Sequence, residues 1–72
     1  MRKVKIIHEA NVLERTGGSQ LRKTGKFLTA GVEIEVGGPE WWWSYDDNVR
    51  MTFPFIMNGE RFYILAKDIG EP

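Results

Sequence analysis

The stretch Val49-Arg50-Met51-Thr52-Phe53-Pro54-Phe55-Ile56-Met57-Asn58-Gly59-Glu60-Arg61-Phe62-Tyr63-Ile64-Leu65-Ala66 decides how the chain folds. Its two apolar runs are rich in residues that suit a pleated sheet. They flank Asn58-Gly59, the dipeptide favoured in a two-residue type I′ hairpin because both central positions need positive φ. Such a turn sets Met57 against Glu60, and counting back pairs Phe55 with Phe62, Phe53 with Ile64 and Met51 with Ala66. Alternate side chains of a strand share a face, so this register gathers the apolar residues on one side.

Working upstream, Asp46-Asp47-Asn48 predicts a three-residue connection that places Val49 opposite Tyr45, Met51 opposite Trp43 and Phe53 opposite Trp41. A slip of one residue would reverse the faces and send Trp42 inward instead. A four-residue loop over 37–40 then sets Val36 against Trp41, Ile34 against Trp43 and Val32 against Tyr45. Pro54 cannot donate to a ladder, but it fits as a non-hydrogen-bonded partner of Tyr63 at the level where the Trp strand has ended near Glu40.

Short apolar runs punctuated by Gly18, Gly25, Gly31, Gly37-Gly38-Pro39 and the two acidic or Asn-Gly turns extend this rhythm to the whole chain. Strands are expected over 3–8, 11–15, 26–29, 32–36, 41–45, 49–57 and 61–66. The meander's apolar face needs a cover, and Val4, Ile6, Val12, Leu13, Leu21, Phe27 and Leu28 are available for it. The expected fold is therefore all-β, a small curled antiparallel sheet or SH3-like barrel of roughly five to six strands in one domain over residues 1–72. The segment Gly59-Glu60-Arg61-Phe62-Tyr63-Ile64-Leu65-Ala66-Lys67-Asp68-Ile69 resembles the closing strand and terminal turn of SH3-like barrels. The acidic loop and early Tyr of the SH3 peptide site are absent at the expected place, so the resemblance implies a fold and not proline-peptide binding.

Composition narrows the function classes. With 42% hydrophobic and 28% charged residues, the chain has the makeup of a globular domain and not of a disordered one. The absence of cysteine removes disulfides and thiolate metal sites and favours a cytoplasmic setting. Met1 to Glu9 starts with basic residues but reaches a polar pair before any useful apolar core, which argues against a signal peptide. No stretch approaches the roughly 20 apolar residues of a membrane span, so no membrane association is expected. Formal charge is zero overall, yet residues 1–26 carry +5 and residues 27–72 carry −5.

Catalytic equipment is sparse. His8 is the single histidine, it shares parity with Val4 and Ile6, and Ser19 and Ser44 have no base and acid near them in sequence. Arg22-Lys23-Thr24-Gly25-Lys26 lacks the spacing of a phosphate-binding loop, and Asp46-Asp47-Asn48 lacks the spacing and the chelating Glu of a calcium loop. No catalytic residue, cofactor, metal or small-molecule substrate is predicted, and the chain is read as a non-enzyme.

The opposite face of the meander supplies the leading functional candidate. The register places Trp42, Pro54, Ile56, Arg61, Tyr63 and Leu65 there, a composition typical of protein interfaces. The competing explanation is that the N-terminal segment folds over this patch as a second small core. The leading expectation is a small protein-binding module, an inhibitory or accessory protein that acts by occluding a partner's surface, of the kind phages encode. A nucleic-acid-binding barrel is the alternative, with Arg2, Lys3, Lys5, Arg22, Lys23 and Lys26 on phosphates and an exposed aromatic on a base. A homo-oligomer closed over the Trp42 and Tyr63 face is the third.

Overall fold

The computed structural model describes residues 1–70. The strands are β1 (Arg2–Ile6), β2 (Ala10–Arg15), β3 (Leu21–Leu28), β4 (Glu33–Val36), β5 (Glu40–Trp43), β6 (Val49–Met57), β7 (Glu60–Leu65) and β8 (Ile69–Gly70), with a 3-10 turn over Ala66–Asp68 between the last two. They form two open antiparallel sheets, one of three strands in the order β4-β1-β8 and one of five in the order β3-β2-β7-β6-β5.

The β6–β7 hairpin has the register that the Asn58-Gly59 turn dictates. Phe53 faces Ile64, Phe55 faces Phe62 and Met57 faces Glu60. Asn58 and Gly59 take φ values of 53° and 80°, as a type I′ turn requires. Pro54 sits opposite Tyr63, and its carbonyl accepts a hydrogen bond from the Gly37 amide at 2.9 Å where β5 has already ended.

The expected curled sheet or SH3-like barrel does not form. Its premise was that β4 continues the meander beside β5, but β4 pairs with β1, with Val4 opposite Ile34 and Arg2 opposite Val36. The Gly37-Gly38-Pro39 connection carries the chain from one sheet to the other. The apolar face of the hairpin is therefore covered by a second sheet stacked upon it, and no closure into a barrel is needed. An isolated parallel bridge from Gln20 to Trp43 joins the two ends of the five-stranded sheet and does not extend into a ladder.

Two cores result. Val4, Ile6 and Val36 of the smaller sheet pack with Ala10, Val12, Phe53, Phe55, Phe62 and Ile64 of the larger. On the other side of the larger sheet, Leu13, Leu21, Tyr63 and Leu65 form a second buried cluster, with Trp42 and Tyr45 packed against it. β2 brings this second core about by joining the edge of β7, Leu13 opposite Tyr63, and carrying β3 with it.

Two further expectations are corrected. The Trp strand is displaced by two residues: Trp41 faces Met51 and Trp43 faces Val49. The reason is a longer connection, in which the Ser44 amide reaches the Asn48 carbonyl at 2.8 Å and Asp47 takes a φ of 60°. A two-residue shift preserves face parity, so Trp41 and Trp43 still lie opposite to Trp42. β3 is also longer than the 26–29 segment expected, because the chain passes Gly25 at a φ of +88° and a register shift between Asn11 and Leu13 absorbs the irregularity.

Candidate functional site

The six residues proposed from sequence as an interface do not remain together on an open surface. Pro54, Tyr63 and Leu65 are buried. Trp42 is half-buried: its ring lies edge-on to Tyr63 with centroids 5.9 Å apart, the Arg15 guanidinium covers it at 4.5 Å, and its indole N–H donates to Glu40 Oε1 at 2.9 Å. Ile56 and Arg61 stay exposed as a cross-strand pair near the hairpin turn, with Arg61 donating to Glu40 Oε2 at 3.0 Å. The alternative explanation weighed from sequence describes these neighbours well, since β2 and β3 complete a second core around Trp42, Tyr63 and Leu65.

The basic residues are dispersed. Lys3 and Lys5 stand directly across the strand pair from Glu35 and Glu33, an opposite-charge arrangement that neutralises the outer face of the smaller sheet. Arg22 donates to Glu14 at 2.7 Å, Lys23 lies over the Tyr45 ring at 4.5 Å, and Arg2 lies over Phe53 at 5.1 Å. Lys26 is exposed on β3. The charge asymmetry of the sequence is largely cancelled because β4, from the acidic half, pairs with β1, from the basic half.

The open aromatic surface lies instead at the β5 end of the larger sheet. β5 is an edge strand, and the smaller sheet covers the Phe53 and Phe55 end of β6 without reaching its start. Trp41 is consequently 66% exposed, Trp43 48% and Val49 48%, with Met51 half-buried between them and the core. Alternation along β5 places these residues on one face. Three large apolar side chains left open together in a 72-residue chain are unusual, because isolated exposed hydrophobics are common but contiguous patches mark contact surfaces.

Two shallow hollows adjoin on this face and share Met51. The first, of about 230 Å³, is lined by Trp41, Val49, Arg50, Met51, Leu65, Ala66 and Lys67. The second, of about 510 Å³, is lined by Val36, Gly37, Pro39, Met51 and Phe53, with Arg2 beside them. Arg50 also donates to Asp46 Oδ2 at 2.8 Å, and this bond holds the Asp46 carboxyl below its ordinary value of 3.8.

Sequence reasoning missed Trp41, Trp43, Val49 and Met51 because their parity matched the core face. No sequence signal separated the two faces, because alternation does not decide whether β4 stays beside β5 or pairs with β1.

His8 lies past the end of β1, and its side chain is 53% exposed. Its Nε2 bonds to Oδ1 of the buried Asp68, whose carbonyl also accepts the Ile7 amide at 3.0 Å, so the β1–β2 turn is fastened to the 3-10 turn. Among the described residues no group of His, Cys, Asp and Glu could hold a metal ion, and no helix is long and apolar enough to cross a membrane.

No family model, curated protein or solved structure matches the chain. The barrel and SH3-like descriptions fall to the two open sheets. Nothing connects the chain to phage inhibitors or to a known oligomer, and those expectations are withdrawn.

Proposed function

We propose that this chain is a non-catalytic protein-binding module that seats its partner on the face formed by Trp41, Trp43 and Val49. The observation that supports it is the exposure of two tryptophans on one face of the edge strand β5, with the exposed Val49 of β6 paired to Trp43 beside them, while Trp42 on the other face of β5 is packed into a core. Trp is among the residues that concentrate binding energy in interfaces, where its large ring is withdrawn from water on contact. An uncovered edge also offers main-chain groups to a partner.

The site differs from the one expected from sequence. Trp42, Tyr63 and Leu65 contribute by holding β5 against β7 through the second core, so that the Trp41 and Trp43 rings are presented from a rigid support. Substitution at Trp42 is therefore expected to affect folding first and binding only as a consequence.

The test compares wild-type protein with a Trp41→Ser/Trp43→Ser variant in recovery of a binding partner, followed by reconstitution of the complex from purified components. The variant is expected to retain its unfolding midpoint and lose the partner. Undiminished binding by a folded double variant would remove this face from the function.

A further inference from the structure

We infer that the occupant of this face is an uncharged proline-rich segment of a partner protein, bound in the polyproline II conformation across Trp41, Trp43 and Met51. The inference rests on the protein-binding reading and specifies the chemistry of what binds.

Charge and hydrogen-bonding character are the first argument. Among the described residues no side-chain oxygen lines either hollow, so the polar side-chain groups there are N–H donors. The charged donors are already engaged. Arg50 bonds to Asp46 at 2.8 Å and belongs, by alternation, to the Trp42 side of β6, Lys67 stands 3.7 Å from Asp68, and Arg2 lies over the Phe53 ring. A carboxylate on the occupant would have to displace Asp46 or Asp68. The neutral donors are open: the Trp42 indole is bonded to Glu40, whereas the exposed Trp41 and Trp43 indoles meet no acceptor among the described residues. An apolar surface with uncharged donors is complementary to an uncharged apolar chain that carries acceptors and few donors. Proline is the residue whose main chain has a carbonyl and no N–H.

Backbone phase is the second argument, and it decides against an added β-strand. The Ser44 amide bonds to the Asn48 carbonyl, so alternation along the antiparallel pair turns the Glu40 and Trp42 main chains toward β6 and those of Trp41 and Trp43 outward. Trp43 is already bridged to Gln20, and the next outward position before Trp41 is Pro39, which has no N–H. Trp41 alone therefore offers both an amide and a carbonyl at this edge, too short a run for a ladder. A polyproline II segment needs no ladder, because its main chain makes no internal hydrogen bonds and its carbonyls stay available to the indole donors. Spacing agrees. Alternate residues of a strand lie about 6.8 Å apart, and a saturated ring held between two indoles needs about 7–8 Å at carbon–carbon contacts of about 3.5–4.0 Å.

The experiment is a selection of displayed random peptides on the immobilised full chain, followed by solution binding of the enriched peptides and of versions with each proline replaced by alanine. Enriched sequences are expected to carry repeated prolines with no excess of acidic or basic residues, and to bind equally at low and high salt. Each alanine replacement at a contacting proline weakens binding about threefold. Trp41→Phe, which keeps an aromatic ring and removes the indole donor, also weakens it about threefold, and Trp41→Ser about tenfold or more, with the unfolding midpoint in place in both variants.

Enriched peptides that lack proline, or that lose about tenfold in affinity from low to high salt, while still requiring Trp41 would overturn the proline-rich assignment and leave the docking face standing. Full affinity in Trp41→Phe together with loss in Trp41→Ser would do the same, since the indole donor carries the assignment. Absence of enrichment, or binding indifferent to Trp41→Ser, would overturn both.

Discussion

Truncating Trp42 and truncating Trp41 should have opposite consequences although the residues are adjacent. Trp42 packs beside Leu13, Leu21, Tyr63 and Leu65, makes an edge contact with Tyr63, lies beneath Arg15 and bonds Glu40. Removing a fully buried Trp or Phe side chain costs about 3–5 kcal/mol. Trp42 is half-buried, so about 2–3 kcal/mol is expected for Trp42→Ala, including the aromatic and cation–π contacts. In a domain of this size that corresponds to a fall in Tm of roughly 8–24 °C. Trp41 is largely exposed and has no comparable packing, so Trp41→Ala should shift stability by no more than about 0.5 kcal/mol. Urea titration followed by far-UV circular dichroism and thermal melting measures both changes. Equal destabilisation by the two substitutions, or a larger loss for Trp41→Ala, would refute the assignment of one ring to the core and the other to the surface.

Three further outcomes follow from named contacts. Ser44 Oγ is fully buried without a hydrogen-bond partner among the described residues, so Ser44→Ala should be neutral or stabilising by up to about 1 kcal/mol in the same denaturation assay; a loss of 1 kcal/mol would reveal a missing partner. His8→Ala leaves the buried Asp68 carboxylate with Lys67 at 3.7 Å and should cost about 1 kcal/mol by urea titration, whereas no loss would show the clasp to be idle. The Asp46 carboxyl is held low chiefly by its hydrogen bond from Arg50, so its small stabilising contribution is present above 3.8 and fades as pH falls through its lower folded-state value. Carbon-detected NMR titration should show its midpoint rising toward 3.8 in Arg50→Gln, and an unchanged midpoint would dismiss the pairing.

The β6–β7 hairpin was legible because one dipeptide fixes its geometry. Asn58-Gly59 admits a single tight turn, and all the pairings from Met57 to Thr52 follow from it. Pro54 was legible too, since its missing donor constrained where β5 had to stop. The β5–β6 register was not, because the Asp46-Asp47-Asn48 connection draws in Ser44 and lengthens; only parity survived, the shift being even. The partner of β4 lay beyond reach because it depends on competition between β5 and β1, decided by whether the chain swings out at Gly37-Gly38. That one choice settles whether the sheet curls or stacks, and it also leaves the Trp41 face open. The candidate surface was therefore placed, from correct parity, on the side of β5 that the second core covers: alternation tells which side chains share a face, but not which face the rest of the chain covers.

Quenching of single-tryptophan chains, in which two of Trp41, Trp42 and Trp43 are replaced by Phe, tests the central claim most directly. Trp41 and Trp43 should each emit at long wavelength and be quenched readily by acrylamide, while Trp42 emits at shorter wavelength and resists. A shielded Trp41 together with an accessible Trp42 would mean that the aromatic surface lies on the other side of the strand.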